Sequence, residues 1–114
     1  MAHDAETYLA DIVAAGEFAL GFAGERTLDE YVRDRAFRDV IERELMIVGE
    51  AVFVLERRFP KIVERIGEAD KIIGLRHVLV HGYGGLRHEN IWQILRTKLP
   101  VLIAEVKGVL SESA

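Results

Sequence analysis

Residues 35–58, RAFRDVIERELMIVGEAVFVLERR, decide the fold class. Within them Phe37, Val40, Ile41, Glu44, Val48, Ala51, Val52 and Leu55 recur at three- and four-residue spacing. That repeat keeps one face of a helix turned to a core, whereas a half-buried strand would alternate with period two. The basic pair Arg57 and Arg58 suits the negative end of a helix dipole, and Pro60 cannot continue the hydrogen-bond ladder. A helix over residues 35–58 is predicted, and it is long enough to serve as the spine of the molecule.

Outward from that spine the same period returns on both sides. Leu9, Ile12, Val13, Gly16 and Leu20 place a first helix over residues 4–23, with Gly24 where it would stop. Thr27-Leu28-Asp29-Glu30 has the form of a capping box and predicts a short second helix. Downstream, a polar connection over 61–70 leads to a helix over 71–81 that Gly82, Gly84 and Gly85 terminate. Ile91, Leu95, Leu99, Leu102, Val106 and Val109 form a last stripe, in which Pro100 demands a kink or a restart near Leu99. Period two is nowhere sustained, and the brief ambiguity at 77–81 is resolved as helix. The expectation is an all-α protein, an antiparallel bundle of four to five helices, with Trp92 and the five phenylalanines in its core. Gly74, inside a predicted helix, is expected to mark a close approach between helices.

Composition narrows the class. A chain of 114 residues, 50% apolar and 30% charged, suits one folded domain over 1–114 and excludes a disordered polymer. Cysteine is absent, so neither a disulfide framework nor a thiolate metal site is available. The first residues carry His3, Asp4 and Glu6 in place of a basic stretch and an apolar run, and charges interrupt every apolar segment. A cytoplasmic protein, away from membranes, is expected. The net charge of −4 at pH 7 gives no general attraction to polyphosphate, so any nucleic-acid contact must rest on a local cleft.

Chemistry concentrates in Arg76-His77-Val78-Leu79-Val80-His81-Gly82-Tyr83, where a guanidinium, two imidazoles and a phenol share one short element. On a helix, residues five apart stand about 140° around the axis, so Arg76 and His81 flank a groove and do not share a stripe. His77 and His81 have the spacing of two zinc ligands on one face. Yet Val78 occupies the place where a metalloprotease needs glutamate, and a third ligand would have to come from His88 or a carboxylate. No metal and no other cofactor is therefore expected. Arg76 has a bland alternative as an ion-pair partner of Glu50 or Asp70, and Glu50 is a candidate to orient Arg76 or a motif histidine. Arg57, Arg58, Lys61 and Arg65 are candidates to line an RNA path, with a solvated face as the ordinary reading.

Arg76, His81 and Tyr83 together spell R-x4-H-x-Y, and this resembles the signature of the HepT-like toxins of the HEPN superfamily. Val48-Gly49-Glu50-Ala51 is similar to the central-helix I-G-E-A of that family, Ile72-Ile73-Gly74-Leu75 to the lead-in of its motif, and Ile91-Trp92 with Leu99-Pro100 to its last helix. The similarity covers nearly the whole chain. One departure is His77, which stands where the family often has Asn.

The resemblance implies a metal-independent endoribonuclease whose two subunits join their motifs in one cleft, and a toxin neutralised by a minimal nucleotidyltransferase antitoxin. It also implies that Tyr83 is the hydroxyl to which that partner attaches AMP. The residues suit the chemistry: a neutral imidazole at His81 can take the 2′-hydroxyl proton of RNA, and Arg76 can stabilise charge developing on the phosphate. The alternative is a non-catalytic module of the same fold that binds a nucleotide or the nucleotidyltransferase.

Overall fold

The computed structural model describes residues 3–81 and 88–112, with residues 3 and 81 described in backbone alone. The glycines expected to end the motif helix, and Tyr83, lie outside the described residues. Among the described residues seven helices follow one another: α1 (His3–Ala23), α2 (Leu28–Arg33), α3 (Arg35–Arg58), α4 (Pro60–Val63), α5 (Ala69–His81), α6 (His88–Gln93) and α7 (Leu99–Glu112). A π-helical turn (Ile94–Lys98) joins the last two. No described residue is in a strand, so the all-α expectation holds, and the polar connection after α3 carries one extra short helix that its Pro60 initiates.

Local chemistry sets the ends of these helices. Gly24 adopts φ +51°, a conformation costly for residues with a Cβ, and its N–H donates to the Leu20 carbonyl at 2.9 Å to close α1. The Thr27 hydroxyl accepts the Glu30 amide at 3.2 Å and donates to the Glu30 carboxylate at 3.4 Å, so the box closes side chain to side chain. Asp34 ends α2 and begins α3, its carboxylate accepting the Phe37 amide at 3.1 Å.

The bundle is antiparallel. Arg58 at the end of α3 reaches Asp4 at the start of α1, at 3.0 Å, while Phe22 meets Phe37 at the opposite end. Across α1, the Lys107 ammonium of α7 lies 2.6 Å from Glu17, and Arg96 donates to the Gly24 carbonyl at 2.7 Å. The core is drawn from Leu9 and Ile12 of α1, Ile41, Val48 and Leu55 of α3, and Leu99, Leu102 and Val106 of α7, all buried. No polar or charged side chain is fully buried among the described residues, so apolar burial, at about 1.5–3 kcal/mol for each large side chain, is what holds the helices together. None of the described helices is long and apolar enough to cross a membrane.

Two expectations about packing need correction. Phe18 and Phe22 are 53% and 39% exposed and stack on each other at 5.9 Å, because the buried face of α1 is filled by Ala5, Ala15, Ala19 and Ala23 beside Leu9 and Ile12. Small residues let α1 sit close to both α3 and α7, and the phenylalanines are left on its outer side. The close approach assigned to Gly74 occurs elsewhere: a Cβ at Gly74 would meet nothing within 4 Å, whereas one at Gly49 would lie 2.3 Å from Cβ and 3.2 Å from Cα of Arg76. A missing side chain on α3 is thus what allows the backbone of α5 to touch it.

These two glycines predict opposite outcomes for one substitution. Gly49→Ala should destabilise the protein by about 1–3 kcal/mol, since α5 must move away from α3 and the helix propensity of alanine offsets only part of that cost. Gly74→Ala, in open space, should raise stability by up to about 1 kcal/mol. Urea midpoints of the two variants measure this, and an unchanged or raised midpoint for Gly49→Ala would show that the helices are not in contact there.

Candidate active site

Arg76 lies in the middle of α5, where the gap at Gly49 lets its backbone rest on α3. Its side chain then runs along the next turn of α3. Nε and Nη2 both approach Oε2 of Glu50 at 2.8 Å, and the guanidinium carbon sits 4.4 Å from the centroid of the Phe53 ring. Residues 49, 50 and 53 of one helix therefore supply, in order, the space, the counter-charge and the platform for one arginine. The Arg76 side chain is 19% exposed and that of Glu50 54%. With so exposed a carboxylate the pair contributes at most about 1 kcal/mol to stability, and its main effect is to fix the direction of the guanidinium.

Glu50 occupies the Nε edge of the arginine, using two of its five N–H donors. The remaining donors belong to the outer edge, which has no other partner among the described residues. Of the two carboxylates considered for Arg76, Glu50 is its partner, and Asp70 stands exposed in the first turn of α5. The Glu50 carboxylate is half exposed and takes its donor from across the helix pair.

His77 follows Arg76 on the exposed side of α5. His81 is the last residue of α5, but its side chain and Tyr83 lie outside the described residues, as does the separation of the Arg76 and His81 heads. Val80, just before His81, is 44% exposed and borders a groove of about 290 Å³ between α1, α3 and α5. Tyr8, Arg43, Met46 and Ile47 line its walls, and Glu50 belongs to the same groove. The end of the motif helix therefore opens beside the carboxylate that holds Arg76.

Other candidate groups fall elsewhere. His88, the histidine from which a metal site would have drawn a third ligand, packs edge-on against Tyr31 with ring centroids 5.7 Å apart. Among the described residues no three His, Asp or Glu side chains are grouped to hold a metal ion. Tyr31 donates to Glu42 at 2.8 Å, and burial together with that carboxylate holds its phenol well above its ordinary pKa, so it stays protonated as a core residue. Sequence reasoning missed Gly49 as the seat of Arg76, and it missed Phe53 as its platform. The only signal for either was their spacing from Glu50, which becomes informative once α5 is known to cross there.

Comparison with known proteins adds identity to this geometry. Residues 12–109 match the family described as Ribonuclease HepT-like. A protein of Methanocaldococcus jannaschii named "Putative RNase MJ0127" is 28% identical over 109 residues, covering 96% of this chain and 89% of its own. "Putative RNase TTE0752" of Caldanaerobacter subterraneus subsp. tengcongensis is 29% identical over 105 residues, covering 92% of this chain and 93% of its own. No solved structure matches the chain. With its R-x4-H-x-Y motif, its all-helical frame and a family match that spans most of its length, the chain belongs to the HepT-like family of the HEPN superfamily.

Proposed function

We propose that this chain is a metal-independent endoribonuclease, the toxin of a type VII-like toxin–antitoxin pair, acting as a homodimer. The observation that carries the reading is the guanidinium of Arg76, held by Glu50 and Phe53 with its outer donors uncommitted, on the helix that His81 ends. The ribonuclease designation of the family, and of the two relatives, supports the same substrate class.

The proposed chemistry uses RNA against itself. His81 takes the proton of a 2′-hydroxyl, whose oxygen attacks the adjacent phosphorus while the bond to the 5′-oxygen breaks. Arg76 offers its outer N–H donors to the non-bridging oxygens, where negative charge rises in the transition state. The leaving 5′-oxygen receives a proton from the partner subunit's His81 or the partner's His77. The products are a 2′,3′-cyclic phosphate and a 5′-hydroxyl. His77 assists at the exposed face of α5, and Glu50 acts by holding Arg76. Tyr83, two residues past His81, is proposed as the hydroxyl that the cognate nucleotidyltransferase modifies with AMP, which would add a bulky anion to the motif and repel RNA.

A binding module of the same fold remains the second reading, favoured by one observation: Glu50 already neutralises much of the charge that Arg76 could offer a phosphate. Activity separates the two. Purified protein should cut single-stranded RNA in EDTA and leave DNA intact, with ends that carry 2′,3′-cyclic phosphate, and it should sediment as a dimer. Arg76→Ala and His81→Ala should each lower the rate by at least about 100-fold while the fold persists; variants that cut as fast as the parent would remove the mechanism. For the modification, mass spectrometry after co-expression with a minimal nucleotidyltransferase that neutralises the toxin should find AMP on Tyr83. Neutralisation of the toxin with Tyr83 unmodified would refute that part.

A further inference from the structure

The Phe53 ring that supports Arg76 supports a second cation. The guanidinium carbon of Arg57, one turn further along α3, lies 5.7 Å from the same ring centroid, against 4.4 Å for Arg76. Two arginines from different helices thus share one aromatic side chain. Their neighbours are committed elsewhere: Arg58 pairs with Asp4 at 3.0 Å, and Arg65 pairs with Glu112. Arg57 is exposed and has no carboxylate partner among the described residues. The basic group read as a solvated face is therefore not uniform: Arg58 and Arg65 are tied to carboxylates, Lys61 is exposed on α4, and Arg57 alone of the four shares the ring that carries Arg76.

Charge makes this arrangement consequential. The chain carries −4 at pH 7, and Glu50 offsets the charge of Arg76 where a phosphate would meet it. An anionic strand needs a local positive field to stay bound against that background. A second guanidinium on the same ring gives a two-point grip, in which one phosphate meets Arg76 and the next along the strand meets Arg57.

We propose that Arg57 is a phosphate-binding residue for single-stranded RNA, placed by Phe53 so that the strand runs from Arg76 along the C-terminal turn of α3. This rests on the ribonuclease reading for the identity of the strand. Arg57 is assigned to strand binding alone and takes no part in the proton transfers.

Binding and cleavage can be measured apart. Fluorescence-anisotropy titrations would use a fully 2′-O-methylated single-stranded oligoribonucleotide, which cannot be cut, over a series of salt concentrations. Arg57→Ala should weaken binding severalfold and flatten the dependence of log K on log salt by about 0.7 for each arginine lost from the contact. Arg57→Lys should keep that slope. Arg33→Ala, which removes one positive charge from an exposed pair with Asp29 on α2, should change neither. Loss of a favourable helix-end charge alone would lower the melting temperature of Arg57→Ala and leave the salt slope intact, and that result would overturn the proposal. So would an equal effect of Arg33→Ala, or no salt-dependent binding by the parent chain. Cleavage of unmodified RNA is assayed in parallel. A parent that binds through Arg57 and never cuts refutes the ribonuclease reading alone, and a parent that cuts while Arg57→Ala binds unchanged refutes the arginine pair alone.

Discussion

The absence of a side chain at Gly49 is the constraint from which the rest of the site follows. Helix axes in ordinary packing stand 8–10 Å apart because side chains fill the gap. At Gly49 no side chain of α3 fills it, and the Cβ and Cγ of Arg76 occupy the space that a Cβ would need, with its Cα close behind. Only at that separation does the arginine stem lie flat along α3, so that Glu50 meets its Nε edge and Phe53 lies beneath its plane. A long cation that would sweep a wide volume in solvent is restricted to one orientation, with its side chain only 19% exposed. The Glu50 carboxylate offsets the desolvation of the charge, and packing at the stem meets part of the entropy of ordering it.

The arrangement also separates stability from chemistry. Apart from the Tyr31 phenol, which is satisfied by Glu42, the described core is built of apolar side chains, and the charged groups of the site stand at its rim. Replacing a polar site residue therefore leaves the bundle's main source of stability in place, and the Arg76 and Glu50 pair is free to serve orientation. The acidic balance of the whole chain is consistent with this division, because what matters to an anionic strand is the field within a Debye length of the site, about 8 Å at physiological salt.

Much of the frame was legible in the sequence, for identifiable reasons. Apolar period, the Thr27 cap and Gly24 report local geometry, so α1, α2 and α3 fall where the residues place them. Helix α5 begins two residues earlier than expected, at Ala69, since Ala69 is buried against the core and extends the helix backward. Pro100 announced a disturbance near Leu99 but not its form. Phe18 and Phe22 were misplaced because hydrophobicity alone does not say which side of α1 is lined by alanines. The motif of Arg76 and His81 could be seen at once as a string. The pairing of Arg76 with residues 26 positions earlier could not, since it depends on which turn of α3 the fifth helix crosses, and on a glycine whose importance is invisible until a neighbour leans on it. Gly74, the more conspicuous glycine beside the motif, misled for the same reason.

The π-helical turn before α7 resolves a conflict of geometry. Proline at position 100 cannot donate the hydrogen bond that the next helical turn requires, and instead the Leu99 amide reaches back five residues to the Ile94 carbonyl. One residue more per turn rotates everything beyond it by about 100°. Trp92 thereby faces the aromatic cluster of Tyr31 and Phe37, while Leu99 and Ile103 face Gly16 of α1. A single run of sequence thus lays two differently aimed surfaces on two neighbours. Unlike a surface loop, which absorbs insertions and deletions, this joint counts its residues: removing one would straighten the rod and turn half of its apolar face toward water.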